Sequence, residues 1–187
     1  MKKEDLKEYL KIEKRLYLSQ NKIRNLKNIL LYDRKYQYWK FLKIYRKAEY
    51  YSTNRQGIIK RILCFFYLRK KNILAEKLGM EFDGFPFKEG LLIYHSRGIV
   101  INGDSKIGKN CILHGENVIG NNGKNTKAPI IGNNVRLGIG SKIIGNVYIA
   151  NNVTVAAGAI VVSSCYQEGA LMAGIPAKIK NKEKINV

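Results

Sequence analysis

The sequence predicts an α+β chain in two parts: a basic α-helical region at 1–79 and a β-helix domain at 80–170, with a C-terminal tail at 171–187. Three observations carry that prediction. Up to Leu78 the apolar residues recur at three-, four- and seven-residue multiples among lysines and glutamates, the spacing of helix faces. From Ile101 to Val161 they recur every six residues instead, a period that no α-helix keeps. Glycines and Asn-Asn pairs punctuate this second half, and these residue types turn a chain through positive φ at little cost.

In the first region Leu6, Leu10, Leu16, Ile23, Leu26 and Leu30 mark the opening helical pattern. Asp33 is placed to cap the next helix, through QYWKFLKIYRKAEYY. Ser52, Thr53, Asn54 and Gly57 form a polar break before another, IIKRILCFFYLRKKNILAEKL, which Gly79 would stop. The apolar side of that last helix has two readings. It either packs into a core, with its lysines solvated, or lies on a membrane surface, because Lys60, Arg61, Arg69, Lys70 and Lys71 border it.

Charge bounds the partners. The chain holds 34 Lys and Arg against 14 Asp and Glu, a formal net charge of +20, and 23 of the basic residues fall within residues 1–90. Such a field gathers anions without choosing among them. Nucleic acid is not expected, since the sequence has no zinc-finger spacing, no RNP-like aromatic motif and no basic region leading into heptads. The N-terminus MKKEDLKEYLKIEK carries no apolar signal core, and the longest apolar run, at 62–68, is far shorter than the roughly 20 residues a spanning helix needs. Cys64, Cys111 and Cys165 are few, odd in number and scattered, so a reducing cytoplasm is expected, and neither they nor the two histidines make a metal-ligand set.

The second region is read coil by coil. Its anchors are Ile101, Ile107, Leu113, Ile119, Ile131, Leu137, Ile143, Ile149, Val155 and Val161, with one doubled interval at 120–130. Four residues after many of them stands a small or β-branched residue, among them Ser105, Cys111, Val135, Ser141 and Cys165. A chain that turns a corner every six residues and stacks its anchors inward is a β-helix with coils of about eighteen residues. The doubled interval then leaves the prism as an excursion loop without shifting the register, and loops so placed usually carry function.

Three stretches in that frame carry a resemblance. YHSRGIVINGDSKIGKN is similar to the aspartate-histidine segment of the hexapeptide-repeat acyltransferases, in particular their serine O-acetyltransferase-like branch; IGNNGKNTKAPIIGNNV resembles the branch's glycine-rich excursion, and AGIPAKIK its cofactor-proximal ending. The resemblance spans 80–180 and implies a left-handed parallel β-helix, acetyl-CoA as donor without a metal, and a homotrimer or dimer of trimers with sites between subunits. It implies His95 as the catalytic histidine, with Glu81 upstream as its supporting carboxylate and Asp83 as the alternative. Ala157 and Lys178 are the cofactor-binding candidates it implies, with Gly140 beside them, and Lys127 on the excursion loop could meet the cofactor's phosphates or an anionic acceptor. His114, Tyr94 and Arg97 are candidates for catalysis or acceptor binding.

The chemistry suits those residue types. Acetyl transfer to a hydroxyl needs a base, a thioester held close and donors for the tetrahedral oxyanion. An imidazole can take the proton and return it to the departing thiolate, whereas a lysine would need a large pKa depression to do so. Each candidate also has a bland reading: His95 could make one backbone hydrogen bond, His114 could be an exposed histidine without a task, and Glu81 a solvated carboxylate. Two departures bear on the acceptor. The family's aspartate before the histidine is Tyr94 here, and the histidine ahead of the loop's proline is Ala128, beside Lys127. The expectation is therefore an acetyl-CoA-dependent O-acetyltransferase acting directly on a sugar hydroxyl of a bacterial capsular polysaccharide, exopolysaccharide or precursor. It would work in the cytoplasm, with peripheral contact at the inner membrane face left open. Serine O-acetylation is the alternative, and a non-catalytic basic scaffold the second.

Overall fold

The computed structural model describes residues 1–124 and 126–180, so residues 181–187 of the expected tail lie outside the described residues. It divides into two compact units, Met1–Leu78 and Gly79–Val187.

The first unit holds four helices: α1 (Lys3–Tyr17), α2 (Lys22–Leu30), α3 (Arg34–Thr53) and α4 (Ile58–Lys77). The opening apolar pattern thus covers two helices. They part at Asn21, whose side chain accepts from the backbone N–H groups of Ile23 and Arg24 and caps α2. Asp33 caps α3 as expected, its Oδ1 accepting from Lys35 N at 2.9 Å. Gly57 begins α4 with a φ of 79°.

The core of this unit is α3. Phe41, Leu42, Tyr45 and Ala48 are fully buried there, whereas Leu16, Ile23, Leu26 and Leu30 of the opening pattern are exposed. Buried with them is an ion pair. The Arg46 guanidinium donates to Glu13 of α1 at 2.6 Å and to Glu49 at 2.9 Å, with both Arg46 and Glu13 out of solvent. Burial works against the charge on Arg46, but the Glu13 carboxylate outweighs it, with help from Tyr45 and Glu49, and holds the group well above its usual range. The rings of Tyr9 and Tyr45 complete the enclosure, each with its centroid 5.0 Å from the guanidinium carbon.

The second unit is a parallel β-helix with three faces. The first stacks Met80–Phe82, Ile99–Ile101, Val118–Gly120, Lys142–Ile144 and Ile160–Val161. The second stacks Lys106–Ile107, Ile130–Ile131 and Tyr148–Ile149. The third stacks Leu92–Ile93, Ile112–Leu113, Arg136–Leu137, Thr154–Val155 and Leu171–Ala173, with Lys178–Lys180 added antiparallel. The stack therefore continues into the segment expected as a tail. All ten sixth-residue anchors are buried.

Register shows what the doubled interval does. Ile131 pairs with Ile149, Leu137 with Val155 and Ile143 with Val161, each eighteen residues on. Across the loop the partners are Ile107 with Ile131, Leu113 with Leu137 and Ile119 with Ile143, each displaced by six more, so every face keeps its inward residue. The first coil escaped the period because its spacing is longer: Met80 pairs with Ile99, and Phe87 bridges to Ile107. Between the second and third faces Asn110, Asn134 and Asn152 all take positive φ, and their amides form a ladder at 3.0 Å per step.

Candidate active site

The edge where the third face turns into the first gathers most of the candidates. Backbone bonds tie its successive coils: Gly98 N to Gly79 O at 2.9 Å, Glu116 N to Arg97 O at 3.0 Å, Gly140 N to Gly115 O at 2.9 Å and Gly158 N to Ile139 O at 2.8 Å. Tyr94, His95 and Arg97 thus stand one coil from His114 and Glu116, which stand one coil from Gly140, and that one from Ala157.

His95 is exposed, and among the described residues its imidazole has no hydrogen-bond partner. The bland reading of a histidine fixed by one backbone bond does not hold. Gly115 makes the placement possible, because a Cβ there would lie 2.8 Å from the Cβ of His95. The Tyr94 ring stacks on that of His114, centroids 4.7 Å apart and 13° from parallel. His114 is only half-buried, yet its Nε2 is enclosed and unpartnered. Burial, then the positive charge of Arg136, then His95, lower its pKa, so the ring favours the neutral form.

The two candidate carboxylates lie off the His95 edge in the single chain. Glu81 lies exposed on the first face opposite Val100, and Asp83 at the next edge, its N–H donating to Ile101 O at 3.1 Å. Neither makes a hydrogen bond or ion pair with His95 among the described residues, so the expected dyad is absent from the single chain. The carboxylate on the His95 edge is Glu116, at a φ of 54°, packed against Gly98 and reaching toward Gly140. The sequence reading missed it; its place three residues after anchor Leu113, in the coil after His95, was the available signal. Asn117 was also missed. Fully buried, it accepts from Gly115 N at 2.9 Å and donates to Gly138 O at 2.7 Å and Ser141 Oγ at 3.0 Å, joining the His95 support to the coil above.

The cofactor candidates divide. Gly140 and Ala157 lie on the same edge, where the chain is nearly free of side chains: a Cβ on Gly138 would meet Ala157 N at 2.5 Å, while one on Gly158 would meet nothing. Lys178 is exposed on the added strand, paired with Ala173. Lys127 belongs to the excursion loop at the edge between first and second faces, which Gly145 N to Gly120 O and Lys106 N to Pro129 O tie down. One chain does not bring it to the His95 edge. Among the described residues no group of three His, Cys, Asp or Glu side chains is placed to hold a metal.

Cys111 and Cys165 are buried in their coils. Burial pushes the Cys111 thiol up to about 12, so a thiolate nucleophile has no place there. Cys111 is expected to resist a water-soluble disulfide reagent in the folded protein and to react once it is denatured; rapid labelling of the native form would contradict this burial.

Known proteins share the repeat and the fold. Residues 128–163 match the family model described as Bacterial transferase hexapeptide (six repeats). A serine acetyltransferase of Synechococcus elongatus is 26% identical over 149 residues, covering 78% of this chain and 58% of its own length. One from Staphylococcus xylosus is 30% identical over 128 residues, covering 63% and 59%. The chain thus spans about three fifths of the length of the curated relatives it matches. Among solved structures, soybean serine acetyltransferase apoenzyme superposes with a TM-score of 0.70 at 22% identity over 95% of this chain and 69% of its own, and serine acetyltransferase from Neisseria gonorrhoeae with 0.70 at 22% over 96% and 67%. The fold is the expected one, helices followed by a hexapeptide-repeat left-handed β-helix.

Proposed function

We propose that the chain is an O-acetyltransferase that moves the acetyl group of acetyl-CoA to a hydroxyl, with His95 as general base. The observation that carries this reading is an exposed, unengaged imidazole on the edge that also holds the side-chain-poor run of Gly138, Gly140, Ala157 and Gly158. An extended pantetheine arm fits such an edge, and Lys178 would meet the phosphate end of the cofactor. The neutral imidazole takes the acceptor's proton as the oxygen attacks the thioester carbonyl. The tetrahedral intermediate collapses, the carbon–sulfur bond breaks, and the imidazolium returns its proton to the sulfur, leaving an acetyl ester and free CoA. A three-fold assembly would bring the loop with Lys127 from a neighbouring chain toward this edge. Three free, buried cysteines suit a reducing compartment, and we place the chain in the cytoplasm.

Serine is the acceptor that the relatives' names support, and it takes precedence over the sugar expected from the sequence. One observation keeps the sugar as a second reading. Tyr94 and His114 form a flat aromatic pair beside His95, a surface suited to the apolar face of a sugar ring. Release of CoA thiol, measured with L-serine and with hexoses and oligosaccharides in parallel, separates the two. Turnover of serine at least about tenfold above every sugar is expected on the first reading; the reverse preference would install the second. Silence with all acceptors, together with no CoA binding, would overturn both.

A further inference from the structure

The helical unit presents a face that its own packing leaves bare. α4 turns Cys64, Lys71, Leu74 and Ala75 inward. On its other side Ile58, Ile62, Phe65, Phe66 and Ile73 fall at i, i+4, i+7, i+8 and i+15, one stripe about 22 Å long. All five are exposed, Ile58 by 70% and Phe65 by 71%. Core packing, one of the two readings the sequence allowed for this face, is therefore not what these residues do in the single chain.

The charge on the stripe is one-sided. α4 carries six basic residues and one acid, Glu76. Arg69 lies within the stripe by helical position, and Lys70 beside it, with its ammonium 5.3 Å from the centroid of the Phe66 ring. Next to Phe65 is a pocket of about 440 Å³ lined by Arg55, Arg61, Cys64, Phe65 and Leu68, two arginines beside apolar side chains. Anion and hydrocarbon are thus offered binding groups side by side.

We propose that α4 docks the chain on an anionic bilayer, with Phe65 and Phe66 entering the boundary between headgroups and acyl chains and a lipid phosphate held between Arg55 and Arg61. Charge complementarity selects this occupant. A second copy of the chain carries the same net charge of +20 and, docked two-fold through this face, would set an identical basic stripe against the first, and nucleic acid would leave the isoleucines uncovered. No helix among the described residues is long and apolar enough to cross a membrane, so the contact is peripheral. The proposal is independent of the acceptor and of catalysis.

Co-sedimentation of the full chain with vesicles tests it. Binding to phosphatidylcholine vesicles containing phosphatidylglycerol is expected to be at least about tenfold tighter than to phosphatidylcholine alone, and to fall in about 0.5 M salt. Phe65→Ser/Phe66→Ser and Arg55→Glu/Arg61→Glu should each weaken it about tenfold or more, with helical circular dichroism and CoA-thiol release on a soluble acceptor unchanged. Equal binding to both vesicle types overturns the proposal. So does a Phe65→Ser/Phe66→Ser chain that sediments with anionic vesicles as before while a larger assembly dissociates in gel filtration, since the stripe would then be a contact between copies.

Discussion

Replacing His95 by alanine is expected to lower acetyl transfer by about 100-fold or more, the range for removing a positioned general base. Stability should stay within about 0.5 kcal/mol, because the side chain is exposed and holds nothing together. CoA binding should persist, since the positions proposed for the pantetheine arm, Gly140 and Ala157, lie two and three coils away. Thiol-release kinetics beside a urea unfolding curve measure both quantities. An unchanged rate would leave a non-catalytic β-helix as the better reading. Glu116→Gln and Glu81→Gln in the same assay report which carboxylate supports the imidazole, a choice for which the fold of one chain favours Glu116 by position.

The largest stability effect belongs to the helical unit. Glu13→Ala would leave the Arg46 guanidinium buried beside a cavity, with Glu49 as its remaining carboxylate partner, and breaking a buried pair in this way costs about 3–5 kcal/mol. Most small domains have only about 5–15 kcal/mol in hand, so the urea midpoint followed by helical circular dichroism should drop sharply. Removing both charges in Glu13→Leu/Arg46→Met should cost less, since the two fully buried charges leave together and the Glu49 carboxylate that loses its Arg46 contact still reaches solvent. A double variant as unstable as Glu13→Ala would mean that volume, not charge, dominates the site.

Much of the β-helix was legible in one dimension. Each coil packs on its neighbours with a fixed register, so an inward residue must recur at a fixed interval, and the anchors from Ile101 to Val161 are all buried as the period requires. Asp33 and Gly57 were legible for a similar reason, because capping and positive φ are local chemistry. The first coil was not. Its nineteen- and twenty-residue spacings break the period that made the others visible. In the helices the apolar spacing of residues 1–30 pointed to a core that forms elsewhere, on α3.

The sequence by itself determined the three-faced coil, the inward burial of two cysteines and the presence of an unusual histidine at the entry to the stack. Only the tertiary structure decided that Glu116 and not Glu81 shares the His95 edge, that Tyr94 covers His114, and that the apolar stripe of α4 faces outward. The reason is physical. Periodicity states which residues of a segment share a side, but burial and electrostatics depend on which other segment, tens of residues away, comes to lie against that side.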